Sequence, residues 1–414
     1  MKIIFIHQNF PGQFKHLAPA LAAGGDEVIA LGINRPAYAT AGVRVILHRP
    51  QAANAEAFKE APIDVQETLA KTTRGHSVAR CLSRLKEQGF VPDVIVAHSG
   101  WGEAYFIKDV FPGVPLIVYA EYFYGTEGGD AYFDPEFTRS SLEGLERLRL
   151  KNTHLLHALV AADQGLSPTR FQRDRHPQLL RQKISVIHDG IDSERLKPNP
   201  GARVHLKRAG LDLGSTDEVV TFVARELEPY RGYHIFMRAL PELLVLRPRL
   251  QVVVVGGHGV SYGAAPPAGT TWKDVFFNEV ADRIDRKRVH FVGRLPHDGL
   301  TQLMQVATVH LYLTYPFVLS WSLMEAMSIG CLIVASRTAP VEEVIEHGRN
   351  SLLVDFFDAH QIALTVADAL QRRAELIPLR RAARQHIVQE YDLKTRCLPA
   401  QIELLHRAAQ APES

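Results

Sequence analysis

Short apolar runs rich in Ile and Val recur along the chain: "IIFI" at 3–6, "EVIAL" at 27–31, "DVIVA" at 93–97 and "LIVYA" at 116–120. Longer stretches with helical spacing separate them. Strands buried on both faces read as continuous apolar runs, and helical crossovers between them imply a parallel sheet. The first half therefore predicts a doubly wound α/β domain. The pattern then restarts with "EVVTFVA" at 218–224, "QVVVVG" at 251–256, "VHFVG" at 289–293, "TVHLYL" at 308–313, "CLIVAS" at 331–336 and "SLLVDF" at 351–356. That is a second domain of the same class.

Between the halves lies "HDGIDSERLKPNPGARV", in which Asp189-Gly190 supplies turn chemistry and Pro198 and Pro200 stop regular structure, so a hinge is expected near 188–203. The expected domains are 1–195 and 196–389, with a C-terminal helical segment, 390–414, packing across them. Two prolines break the local pattern. Pro19 falls inside a helix expected over 13–23 and predicts a bend, and Pro399 interrupts the last amphipathic segment.

Composition narrows the classes. At 414 residues and 46% hydrophobic there is material for two cores, and 47 Lys plus Arg against 45 Asp plus Glu argues against a protein that coats nucleic acid. Cys81, Cys331 and Cys397 lie far apart with no C-x-x-C pair, which fits a reducing, cytoplasmic setting. "MKIIFIHQNF" reads as a buried first strand rather than a signal peptide, and no apolar stretch is long enough to span a bilayer, so membrane contact is peripheral at most, at the inner face of the plasma membrane.

In open α/β sheets ligands bind at the carboxyl ends of the strands. "ARELEPYRGYHIF" follows the second half's first strand, with Arg225 at its end and Arg231-Gly232 opening the next helix. Two guanidiniums there suit a diphosphate. "YPFVLSWSLMEAM" joins a strand to a helix; Ser322 followed by Glu325 reads either as a capping box or as part of a phosphate site at a helix N-terminus. In the first half His7, His98 and Glu121 each follow a strand and point at one interdomain crevice; for each the alternative is a satisfied structural group. They do not read as a metal centre, since no H-E-x-x-H or short-spaced ligand trio occurs. The glycines of "GGHGVSYGAAPPAG" miss the G-x-G-x-x-G spacing, and no P-loop or G-x-S-x-G elbow is present.

The ordered set "HQNFPGQFKHLAPAL", "VIHDGIDSERLKP", "ARELEPYRG", "VHFVGRL", "LMEAMSIGCLIVAS" and "APVEEVIEHGRNSLLVDF" resembles glycosyltransferase family 4, the retaining enzymes of the GT-B fold. The resemblance covers nearly the whole chain and implies two Rossmann-like domains facing a cleft, an acceptor side in the first and a donor side in the second. It implies that Arg225 and Arg231 hold the donor diphosphate, Arg231 standing where most members have lysine. Glu325 matches the second glutamate of a pair that grips ribose hydroxyls. Ser320, Ser322 and Leu323 lie where amides meet phosphate, Gly12 matches the glycine loop near donor phosphate and acceptor, and Gly293, Arg294 and Leu295 lie where the base is held. Two departures stand out: Phe317 occupies the place of the first glutamate, which touches the transferred sugar, and Glu121 stands where many members carry a histidine. His98 matches a less constant polar position.

The implied activity is transfer of a sugar from a UDP- or GDP-linked donor to a saccharide, lipid-linked or small-molecule hydroxyl, without a metal or bound cofactor, in polysaccharide, glycolipid or glycosylated-metabolite synthesis. The catalytic candidates are Arg225, Arg231, Glu121 and His98. Two alternatives fit the same residues: a nucleotide-sugar epimerase, and an inactive nucleotide-sugar-binding protein, for which Phe317 is the best argument.

Overall fold

The computed structural model describes residues 1–36, 40–51, 60, 62–206, 210–214 and 216–410. It divides into two compact units, Met1–Gly190 with Lys394–Ser414, and Ile191–Leu393. The chain thus passes between units at 190–191 and 393–394, and the helix Leu398–Gln410 belongs to the first unit.

Unit 1 is built on seven strands: β1 (Lys2–Ile6), β2 (Glu27–Gly32), β3 (Val43–Leu47), β4 (Val94–His98), β5 (Leu116–Tyr119), β6 (Gln164–Ser167) and β7 (Ile184–Val186), ordered β3-β2-β1-β4-β5-β6-β7. All neighbours are parallel. Successive residues face opposite sides, so each apolar run feeds two cores. Ile3, Phe5, Val94 and Val96 pack with Phe14, Leu17 and Leu404, while Ile4, Ile6, Ile95 and Ala97 pack with Val78, Leu82 and Leu85 of the helix Ile63–Glu87. This two-sided burial is why the strands carry no polar alternation.

Unit 2 opens with a short antiparallel pair, β8 (Arg203–Leu206) and β9 (Leu211–Gly214). Its main sheet comprises β10 (Val219–Glu226), β11 (Gln251–Gly257), β12 (Val289–Gly293), β13 (Val309–Tyr312), β14 (Leu332–Ser336) and β15 (Leu352–Val354), six strands in the order β12-β11-β10-β13-β14-β15. These too are parallel throughout. On one face Ile333 and Ala335 pack with Leu323, Met327, Ala383 and Ile387; on the other, Phe222 stacks on Phe236 of the helix Tyr233–Leu246 with ring centroids 4.4 Å apart. Strand order reverses between β1 and β4 in unit 1 and between β10 and β13 in unit 2, the switch points where such sheets open a crevice beyond their carboxyl ends.

Neither flagged proline bends a helix interior. Gly12–Phe14 forms a separate 3-10 turn and the α-helix starts only at Leu17, so Pro19 lies in its first turn, where amides lack intrahelical acceptors. Pro399 is likewise the second residue of its helix, following a π-helical turn at Leu393–Cys397. The bend expected at Pro19 is corrected by one physical fact, that a first-turn proline removes no helical hydrogen bond, whereas the segment around Pro399 does change character, from π-helical over Leu393–Cys397 to α-helical from Leu398.

Candidate functional site

In unit 1 the chain leaves β1 at His7, and Gly12 takes φ +48° to fold the following loop back over that ring. A Cβ on Gly12 would lie 2.3 Å from His7 Nε2, so the close approach requires glycine. The Asn9 amide donates to His7 Nδ1 at 3.0 Å, which puts the ring proton on Nε2, and Nε2–H donates to Gln13 Oε1 at 2.8 Å. Gln13 Nε2 in turn donates to Glu121 Oε1 at 2.7 Å. Burial first, and then the neighbouring His98, lower the His7 pKa to about 3, so the ring is neutral at physiological pH.

His98 ends β4 fully buried, its ring stacked against Trp101 at 4.5 Å and Tyr119 at 5.2 Å. The Gly100 amide donates to its Nδ1 at 3.0 Å, leaving Nε2–H directed at Glu121 Oε2, 3.6 Å away, longer than a hydrogen bond. Burial favours the neutral acid at Glu121, but His98 and the Gln13 amide outweigh it and hold the carboxyl below its ordinary pKa. Glu121 is therefore an ionised group whose side chain is a third exposed. Its carbonyl accepts from Gln172 Nε2 at 2.7 Å, which fixes the backbone beneath it. His98 and Glu121 also line one cavity of about 180 Å³, together with Lys71 and Lys151.

In unit 2 one arginine sits at the end of the switch-point strand and the other in the turn that follows it, in different surroundings. Arg225, the penultimate residue of β10, is exposed and has no hydrogen-bond or ion-pair partner among the described residues. Arg231 is buried at the end of a 3-10 turn; its Nη1 donates to Thr314 Oγ1 at 2.9 Å and its guanidinium lies 5.3 Å from the Tyr262 ring centre. Gly232 then takes φ +68° and opens the helix Tyr233–Leu246.

The helix Trp321–Ile329 is capped by Ser320, whose side chain accepts from the Ser322 amide at 3.2 Å. The capping-box reading of Ser322 and Glu325 is thereby corrected. With Ser320 as N-cap, Glu325 is the fifth helical residue, two residues beyond the third position from which a side chain reaches back to the cap. Its Oε1 instead meets His297 Nε2 at 3.1 Å. The Leu323 amide donates to the Ser320 carbonyl at 3.2 Å, so a phosphate at this terminus has to share or displace bonds to Ser320. Phe317 is buried edge-on against Tyr262 and Tyr230, ring centroids 5.0 and 5.7 Å apart. At the end of β12, Gly293 takes φ +71°, Leu295 packs on the apolar cluster beside β8 and β9, and Arg294 pairs with Glu226.

Several organising residues escaped the sequence reading. Glu226 accepts from the Gly259 amide at 2.7 Å, and the fully buried Glu228 gathers the Ser261, Tyr262 and Gly263 amides at 3.1–3.4 Å. These carboxylates order the glycine-rich loop after β11 and place Tyr262. The signal was the pair of glutamates flanking Leu227 in "ARELEPYRG". Gln13, which joins His7 to Glu121, was visible only as a neighbour of Gly12. Lys71 and Lys151 lie on helices distant from each other in sequence and left no local signal.

Two family models match in tandem: Glycosyl transferase family 4 group over residues 24–196, and Glycosyl transferases group 1 over residues 205–386. The D-inositol 3-phosphate glycosyltransferase of Mycolicibacterium vanbaalenii is 30% identical over 247 residues, covering 59% of this chain and 50% of that protein. The protein of the same name from Streptomyces avermitilis is 26% identical over 239 residues, 56% of this chain and 49% of that one. The chain thus spans about half the length of these curated relatives. Among solved structures, sucrose-phosphate synthase from Thermosynechococcus elongatus superposes with a TM-score of 0.72 at 16% identity, covering 98% of each chain. Anabaena Alr3699/HepE in complex with UDP and glucose gives 0.68 at 17%, covering 98% of this chain and 100% of that one. At these identities the two structures speak for the fold.

Proposed function

Because this chain belongs to glycosyltransferase family 4 and has the two parallel-sheet α/β units of the GT-B fold, we propose that it transfers a sugar from a nucleoside-diphosphate sugar to an acceptor hydroxyl. The observation that supports this reading is the pair of guanidiniums at and just after the end of β10 in unit 2. Arg225 has an uncommitted guanidinium at the end of β10, and Arg231 is fixed by Thr314 and Tyr262 beside the same strand end. A buried, oriented guanidinium stabilises developing diphosphate charge without reorganising during the reaction.

The step breaks the bond between the anomeric carbon and the diphosphate oxygen and forms a bond from that carbon to the acceptor oxygen. The acceptor's proton passes to the departing diphosphate, with retention of anomeric configuration. Unit 2 holds the donor; Glu325, Ser320 and the Gly293–Leu295 turn complete its nucleotide site. Unit 1 supplies Glu121 and His98 as the further catalytic candidates on the acceptor side. The Anabaena neighbour's complex with UDP and glucose supports a uridine-linked donor. The name of the Mycolicibacterium and Streptomyces relatives supports a small polyol acceptor.

The test is turnover of a UDP-sugar by Arg225→Ala and Arg231→Ala. Each is expected to fall by roughly two to three powers of ten, the usual effect of deleting one preorganised charge stabiliser. Near-normal turnover of both variants at saturating donor overturns the assignment.

A further inference from the structure

The helix Leu142–Lys151 of unit 1 carries four leucines in ten residues and buries no side chain. Leu142 is 68% exposed, Leu145 and Leu150 are exposed as well, and Leu148 is only partly covered. One exposed leucine needs no explanation, but a helix this short takes most of its stability from an apolar face packed against something else. Within the chain this helix has no such face.

The apolar stripe continues past the helix end. Asn152 keeps helical dihedrals, φ −88° and ψ −10°, and the helix Thr153–Ala161 follows directly. Its Leu156 and Val160, both exposed, fall close to whole turns after Leu142 at 3.6 residues per turn and so extend the same face. From Leu142 to Val160 the stripe rises about 27 Å.

The charges of the first helix are ordered by sign. Glu143 and Glu146 lie towards its start and Arg147 and Arg149 towards its end, and none of these four side chains makes a hydrogen bond or ion pair among the described residues. Lys151 is turned away, its Nζ 3.7 Å from the Tyr124 ring centre. The order of signs suits the helix dipole, which accounts for the charges but not for the leucines between them. It also restricts what can cover the face. An anionic lipid surface is opposed by two glutamates set among the leucines. A second copy of the helix laid antiparallel brings glutamates against arginines at both ends, whereas a parallel copy sets like against like.

We propose that this face is a self-association surface, on which two copies of the chain pair their 142–151 helices antiparallel about a two-fold axis, leucines meeting between reciprocal glutamate–arginine contacts. A two-fold interface uses one patch twice, so a patch acidic at one end and basic at the other complements itself only in this orientation. The pairing is independent of the transferase reading.

The experiment is sedimentation velocity on the full chain from about 1 to 100 µM, with a melting curve to confirm that each variant is folded. Wild type is expected to dimerise. Leu142→Ser with Leu145→Ser leaves the charges in place and should weaken dimerisation about tenfold or more. Glu143→Lys with Glu146→Lys makes the helix wholly basic, and Arg147→Glu with Arg149→Glu makes it wholly acidic; each variant alone should be monomeric, and an equimolar mixture of the two should dimerise again. Recovery on mixing is a result that a merely structural helix does not give. A wild type that stays monomeric, dimers that persist in the leucine variant or in both charge variants, or folded charge variants that remain monomers when mixed, overturns the proposal. A monomeric wild type that floats with phosphatidylglycerol vesicles gives the face to lipid and overturns it as well.

Discussion

Gly12→Ala places a single carbon where the structure has no room for it, and its cost can be worked out in parts. The residue sits at φ +48°, where an L side chain costs about 1–2 kcal/mol. The new Cβ would lie 2.3 Å from His7 Nε2, so the buried ring must move and its bond to Gln13 is lost, worth about 1–1.5 kcal/mol. The sum is about 3 kcal/mol, which for a unit of this size lowers the melting temperature by roughly 6–12 °C. Gln13 also carries the bond to Glu121, so turnover should fall with stability. Differential scanning calorimetry on Gly12→Ala, His7→Ala and the double variant separates the parts. In the His7→Ala background the clash and bond terms vanish, and Gly12→Ala should cost only its backbone share. A shift in melting temperature below about 1 °C, or an equal cost in both backgrounds, refutes the reasoning.

Acid should unfold unit 1 before unit 2. Burial lowers His7 and His154 to about 3 and His48, His176 and His188 to about 4, while it pushes Glu103 up to about 7. As pH falls from the ordinary histidine value near 6.5 towards 4, the unfolded chain binds five protons that the folded unit refuses, and the folded Glu103 has already bound one, a net of four. The loss is about 5 kcal/mol per pH unit; in unit 2 burial lowers three histidines, His310 to about 4 and His290 and His386 in the same direction, and raises Glu228, so fewer protons are refused there. Hydrogen exchange by mass spectrometry should show unit 1 opening near pH 5; protection of unit 1 persisting to pH 4 contradicts this. Glu325→Gln should leave melting within about 4 °C of wild type, since Ser320 and not Glu325 supports the cap, while UDP affinity drops roughly tenfold, the effect of about one charge-assisted bond. Destabilisation with unaltered UDP binding would confine Glu325 to its contact with His297. Glu121→Gln keeps an acceptor for Gln13 but removes the charge facing His98, so kcat and kcat/KM should fall by similar factors with nucleotide affinity intact; unchanged kcat in the folded variant removes Glu121 from the chemistry.

Much of the fold was legible because burial on both faces leaves a mark that needs no partner to read. The apolar runs at 3–6, 27–31, 93–97 and 116–120 and the six of the second half all fall on strands. The sheet members that escaped are β3, with no fully buried residue, the short and partly exposed β7, β8 and β9, and β6, which is buried but whose QGLS carries a single large apolar side chain, Leu166. The loops that hold chemistry were also visible, because a parallel sheet fixes them at the ends of its strands. Tertiary structure alone decided what each polar group does there. A serine two residues from its rival became the helix cap, Glu325 turned to His297, and Gln13 joined a histidine after β1 to a carboxylate after β5. Hydrogen bonds are short-ranged and directional, and their partners here stand from 2 to 108 residues apart in sequence. No local pattern encodes such pairings. The same holds for Lys71 and Lys151, each an ordinary helix lysine until packing sets both against one cavity.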